Sequence, residues 1–533
     1  MEIHPVQTSF LSVGDWLIIS IYLLGIIALG FWFGRDQKNT RDYFLGSKDI
    51  PWWGIGLSIV AAETSALTII GVPAMAYGGN LAFIQLIIGY VIARIILAVV
   101  MVPHYFKGEI YSPYQLFANA FGHSARQTAG GFFLISETLA AGVRVYVACI
   151  PIQLMLGINV LPAIILFVVL SLLYTYVGGV KAVIWTDAAQ FGLFVLGGLF
   201  TIFYIPHLFA GGFAEVFKTA AAAHKLHWLN TNFSPATHVW LGWKSLLQDP
   251  INLWMGVIGG TFMVMSSHGA EQLIVQRVLA CKTVADGRKA LTLSAIVIFP
   301  LFLIFLFTGM MLWVYYQKFP MAIPLPEPRP GSGIKANDFI YPIFMLSGVP
   351  HLLKGCLIVA ILSAAMSSVS SALTSLASVS TMDFVKKILP NRSEKFFLQF
   401  SKISTVFWAA ALIFVAYLSR QVDFVLDIAF KLRGLTSGAL LGGLLLAVFW
   451  KKGRALPVIA GMICSLVVMT YLSPLVQKID VLPDSLRLGV QLAFPWYTLV
   501  GTVITLVVAV TLNLFFKPKI FSDSTSEDSA VVP

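Results

Sequence analysis

The residues best suited to chemistry lie in one stretch, Val359 to Asp383, which reads VAILSAAMSSVSSALTSLASVSTMD. Eight serines and two threonines fall there, in a chain that is 58% hydrophobic. Helical spacing puts Ala364, Ser367, Ser368 and Ser371 on one stripe, with Ser370 beside Ser367. Hydroxyl and carbonyl oxygens are hard ligands that suit a small hard cation, so the stripe can form one wall of a sodium site. Small residues also let membrane helices approach closely, so packing is a second reading of this stretch taken alone.

Other polar side chains lie inside apolar segments. Glu63, Thr64, Ser65 and Thr68 interrupt the apolar segment 51–78, together with Gly71 and Pro73. Gly259, Gly260, Ser266, Ser267, His268 and Gly269 do the same near 249–272. A carboxylate at a helix centre costs about 2.5–3.5 kcal/mol on insertion scales, so Asp187 needs a cavity or a partner. A bare cation is one candidate partner; Lys181, near the membrane boundary, is the other. Arg144 can grip a solute carboxylate through two parallel hydrogen bonds. Its alternatives are ion pairs with Glu137, two turns away on the same helix face, or with Glu63.

These residues need elements that hold them in a bilayer. The chain has 533 residues, mean hydropathy +0.85 and 11% charged residues, the composition of a polytopic membrane protein. A span needs about 20 mostly apolar residues, and thirteen candidates are present. The net charge of +11 does not point to nucleic acid, because the basic residues cluster between spans. Arg35, Lys38, Arg41 and Lys48 form one cluster; Arg277, Lys282, Arg288 and Lys289 form a second. Further clusters are Lys386, Lys387, Arg392 and Lys395, and Lys451, Lys452 and Arg454. The bias predicts an amino terminus outside and a carboxyl terminus inside. The four cysteines imply no disulfide framework, and no Cys/His cluster has zinc spacing.

The two interrupted segments are the second and seventh spans, five apart. Discontinuous helices at matching positions in two halves point to an inverted-repeat transporter with its site between the breaks. The expected organisation is a first helix and basic loop over 1–50 and a first five-helix repeat over 51–208. An external loop over 209–248 leads to a second repeat over 249–450. Two further helices span 451–516, and a polar tail follows over 517–533.

Six segments together resemble the sodium/solute symporter family, which includes bacterial galactose, sialic acid and proline symporters. They are DYFLGSKDIPWWGIGLSIVAAETSA, SPYQLFANAFG, YTYVGGVKAVIWTDAAQ, EQLIVQRVLACKT, AAMSSVSSALTSLASVSTMDFVKK and GLTSGALLGGLLLAVFWKK, in that order. The resemblance implies an all-α, leucine-transporter-type five-plus-five inverted repeat with one helix in front. It implies a first sodium site from the carbonyls of Ala61, Thr64 and Ala364 and the hydroxyls of Ser367 and Ser368. Some members bind a second sodium, and the matching positions are Asp187, Ser367, Ser370 and Ser371. The candidate solute contacts are Glu63, Ser65, Thr68, Gln85, Arg144 and Ser267. Here the chain departs from the galactose symporters: Glu63 replaces their amide, and no lysine follows near Ile298 to Pro300.

The expected protein is a multi-pass plasma-membrane symporter, embedded in lipid, that imports a small polar organic solute with sodium ions and binds no nucleic acid. The solute is a sugar, a carboxylate or an amino-acid-like molecule. Competing readings are an intramembrane enzyme with Asp187 or His268 as base, and a solute sensor. No triad, metal motif, nucleotide motif or signalling segment accompanies either.

Overall fold

The computed structural model describes residues 11–516 except 36, 109, 157, 234–238, 250, 326–335, 420–422, 451 and 474–491. Side chains at 47, 66–67, 147, 150–152, 154–156 and 423–433 are also outside the description, as is the expected tail 517–533. Helix α1 (Val13–Phe33) starts at a reciprocal cap between Ser12 and Asp15. Two short helices, α2 (Trp52–Glu63) and α3 (Ala66–Gly78), form one bent span with a 58° turn between them. Helices α4 (Ile84–Tyr105), α5 (His123–Leu156) and α6 (Val160–His207) follow. A π-turn at Met255–Gly259 runs into α7 (Gly260–Gly269), which breaks before α8 (Gln272–Leu279). The rest are α9 (Val284–Lys318), α10 (Leu353–Val379), α11 (Glu394–Ser419), α12 (Asp423–Phe449), α13 (Ala455–Leu472) and α14 (Trp496–Leu514).

A straight helix of the 48 residues of α6 would run about 72 Å, more than twice the hydrocarbon thickness of a bilayer. Gly179 resolves this with φ 54 and ψ −157, turning the element into two spans. A side chain there would meet the Tyr43 carbonyl at 2.6 Å, so glycine is required twice over. Among the described residues, eight helices are long and apolar enough to cross a membrane, nine with the bent α2–α3 pair. The two halves of α6, with α5, α7–α8 and α12, lie where further spans were expected.

Gly259 and Gly260 do not interrupt their helix, contrary to the sequence expectation; the break comes after Gly269, at Ala270 and Glu271. The glycines serve a close helix crossing instead: a Cβ on Gly89 of α4 would lie 2.2 Å from the Gly256 carbonyl.

Helix α10 is the core of the bundle. Its most apolar window is 89% buried, against 22% for α1. It packs on α1, α2, α5, α6, α8 and α11. Its amino-terminal amides are capped from outside the repeats: buried Asp15 of α1 accepts from Leu352 N at 2.8 Å and Gly355 N at 2.9 Å. His351 Nδ1 also lies 2.9 Å from Asp15. Removing this cap leaves buried donors unpaired. Asp15→Ala should therefore cost about 2 kcal/mol of stability. The measurement is the thermal unfolding midpoint in detergent; an unchanged midpoint would show that the α1–α10 junction is held by packing alone.

Candidate ion and solute site

The backbone of the bent span supplies free oxygens at mid-bundle. The helical ladder of α2 ends with Thr64 N donating to Val60 O at 2.9 Å, and resumes with Thr68 N to Ser65 O at 2.9 Å. Thr64 is extended at φ −78 and ψ 93. Carbonyls at the end of α2, including Ala61 and Thr64, thus lie where helices leave acceptors unsatisfied. The Thr64 hydroxyl is buried and has no hydrogen-bond partner. Helix α10 packs against α2 here with Ala364, Ser367 and Ser368 buried. Ser368 Oγ donates to Ala364 O at 3.2 Å, which sets two of the expected sodium oxygens side by side. The set is neutral and oxygen-only, as a small monovalent cation requires.

Asp187 is fully buried on the second half of α6, and Lys181, one of the two partners weighed above, is engaged elsewhere. Lys181 pairs with Asp49 at 2.6 Å. Asp187 instead accepts from Arg277 Nη2 at 2.8 Å, Ser58 Oγ at 2.6 Å and Ser367 Oγ at 2.7 Å. The same guanidinium donates to Ser371 Oγ and to Leu273 O. Arg277, grouped above with a cytoplasmic basic cluster, is therefore a buried residue of the bundle. It joins α8 to α2, α6 and α10. Ser370 donates to Ser367 O at 3.0 Å.

The solute candidates divide. Ser65, Arg144 and Ser368 line one cavity of about 10 Å³, with Ala141, Val145, Ala148, Ala365 and Val369. That is room for roughly one water, so an organic solute enters only when the lining helices move. Arg144 is ion-paired with Glu137 on its own helix and donates to Ala140 O at 3.3 Å. Glu63 does not pair with Arg144; it pairs with Arg94 of α4. Gln85 is buried with its amide bonded at both ends, donating to Ala82 O at 3.0 Å and accepting from Asn230 N at 3.0 Å. Thr68 is half-buried, one turn into α3. Ser267 bonds to the neighbouring His268 ring at 2.9 Å. Neither Asp187 nor His268 stands free as a base: each is held in a buried network with an arginine.

The sodium:solute symporter family matches residues 43–465. The chain belongs to this family. It is therefore an integral membrane transporter coupled to sodium. The sodium/sialic acid symporter SiaT of Proteus mirabilis is 29% identical over 97% of this chain and 98% of its own length. The human sodium-coupled monocarboxylate transporter 2 is 23% identical over 81% of this chain and 67% of its own length. A Na+-coupled sialic acid symporter, solved in a substrate-bound outward-open state, superposes with a TM-score of 0.81 at 25% identity. That match covers 95% of this chain and 99% of the other. The five-plus-five fold expected from the sequence is the fold of this symporter.

Sequence reasoning missed Arg94 and Arg277 as site residues. A polar residue on an apolar segment was the available signal for Arg94. The arginine that closes EQLIVQR lies so near a basic loop that linear position alone groups it with the loop. Arg277→Gln would leave Asp187 buried and without its counter-charge, at a cost of about 3–5 kcal/mol. Monodisperse yield and thermal midpoint should fall. Adding Asp187→Asn should restore most of the loss; no recovery in the double variant would show that Arg277 acts elsewhere.

Proposed function

We propose that this symporter imports a small organic acid, with its amino terminus outside and its carboxyl terminus in the cytoplasm. The observation that carries the reading is the single cavity shared by Arg144, Ser65 and Ser368. It sets a guanidinium, the residue best shaped for a carboxylate, beside a hydroxyl of the proposed sodium site. The names of the sialic acid and monocarboxylate relatives support the same class. Glu137 is the counter-ion that Arg144 exchanges for the solute carboxylate.

The first sodium binds the carbonyls of Ala61, Thr64 and Ala364 and the hydroxyls of Ser367 and Ser368. A second binds Asp187, Ser367, Ser370 and Ser371 when Arg277 withdraws from Asp187. Two close cations repel, which is a reason for a carboxylate at the second site and only neutral oxygens at the first. At about 100 mV and a tenfold gradient, each sodium supplies about 3.7 kcal/mol. Two ions carrying a monoanion inward gain about 5 kcal/mol net, enough for accumulation of more than a thousandfold. Alternating access follows from rocking one group of helices against the other around the breaks.

The test is uptake into proteoliposomes under an inward sodium gradient, comparing a sugar acid, a monocarboxylate and a neutral hexose. An acid should accumulate, and uptake should collapse when the gradient is dissipated. Arg144→Gln should raise the half-saturating acid concentration about 100-fold, the loss of one charge-assisted pair. Sodium should still raise the thermal midpoint of that variant. Hexose uptake that is indifferent to Arg144→Gln would refute the acid reading.

Ser368→Ala removes one of few oxygens from the first sodium site. The sodium concentration for half-maximal uptake should rise at least about tenfold, a loss of about 1.4 kcal/mol. An unchanged sodium requirement in well-folded protein would remove Ser368 from the site.

A further inference from the structure

One buried cluster is used by neither the sodium oxygens nor the Arg144 cavity. Arg94 of α4 is fully buried, and its Nη2 pairs with the Glu63 carboxylate. The same Nη2 lies 3.1 Å from His268 Nε2. Its other terminal nitrogen, Nη1, donates to Tyr90 O at 3.1 Å. Glu63 is the last residue of α2, and His268 stands one residue before the end of α7. Arg94 thus touches the inner ends of both interrupted helices at once. Both are helix carboxyl ends, where the backbone dipole favours a cation.

The protonation state of His268 follows from donor counting. A guanidinium only donates, so His268 Nε2 must accept. The ring is neutral, its proton sits on Nδ1, and it is given to Ser267 Oγ at 2.9 Å. A second proton on the ring would set N–H against N–H at Arg94, with two positive charges in contact. Glu63 Oε2, 3.6 Å from Nε2, would then draw the imidazolium away from Arg94. The other charged group acting on His268 among the described residues is Glu271, in the break after α7.

We propose that Arg94 is a positioning residue for transport: it clasps the two interrupted helices through Glu63 and a neutral His268, and a proton on His268 opens the clasp. Arg94 bonds to none of the residues proposed for sodium and does not line the Arg144 cavity. The clasp fixes the relative placement of the two breaks, so that both interrupted helices move as one group when it rocks against the rest of the bundle. Acid then slows sodium-driven uptake without a proton being carried. The inference rests on sodium-coupled transport, so uptake by the wild type at neutral pH is established first; its absence would count against the transport reading and not against the clasp.

The experiment measures initial uptake into proteoliposomes with equal pH on both sides, between about pH 8 and about pH 5, the range in which imidazoles titrate. Wild-type uptake should fall on the acid side, approaching about tenfold per pH unit below the midpoint. His268→Gln keeps an acceptor for Arg94 but cannot be protonated there. It should retain neutral-pH uptake and lose the acid limb. A wild type without an acid limb, or a variant that keeps it, overturns the proposal. If His268→Gln does not yield folded protein, Arg94→Gln is compared with Arg94→Gln plus Glu63→Gln. The single variant strands a buried carboxylate, so the double should transport faster; a double no faster than the single overturns the clasp.

Discussion

A backbone carbonyl that leaves its helix inside a bilayer has no water to turn to, so the protein must supply a partner or hold the group for cargo. This chain breaks two helices at such depth, at Thr64–Ser65 and at Ala270–Glu271. The surrounding side chains are arranged around that cost. Helix α10 brings serines to the first break. Tyr105 of α4 donates to Gly269 O at the second. Arg94 bridges the two. The breaks are tolerated because their neighbours are polar, and the polar neighbours are tolerated because the breaks use them.

Charge is handled in the same way. Four buried or partly buried acid–arginine pairs stand among the described residues: Asp187 with Arg277, Glu63 with Arg94, Glu137 with Arg144, and Asp383 with Arg126. Each pair joins segments that are distant in sequence, except Arg144–Glu137, which lies within one helix. A pair whose partners sit on different elements depends on how those elements pack, whereas a pair within one helix does not. A buried pair stabilises little by itself, because desolvation offsets much of the attraction. Its value here is geometric: Asp187–Arg277, Glu63–Arg94 and Asp383–Arg126 each tie together elements that are far apart in the chain.

Much of this was legible in the sequence. Apolar length fixed the spans, and interior Glu63, Thr64 and Ser65 marked the first break, because such residues in hydrocarbon demand a local reason. Serine spacing on 363–375 gave the polar stripe of α10, since a helix maps spacing directly onto a face. The two spans within 158–208 were also readable, though their merger into one element bent at Gly179 was not. Pairing was the poorly legible part. Asp187 has Lys181 nearby in sequence, yet its partner lies 90 residues away. Gln85 has Asn230 as a partner 145 residues away, which its own segment did not foretell.

The sequence by itself determined which segments are apolar enough for the membrane, which of them are interrupted and which carry a hydroxyl-rich stripe, because hydropathy and helical period are local properties. Only the tertiary structure decided which arginine neutralises which carboxylate. It also decided that Arg277 belongs to the bundle and that Arg94 spans both breaks. The physical reason is that a buried charge is partnered through space. Several cations are compatible with each carboxylate along the chain, and the packing of α2, α4, α6, α8 and α10 selects one.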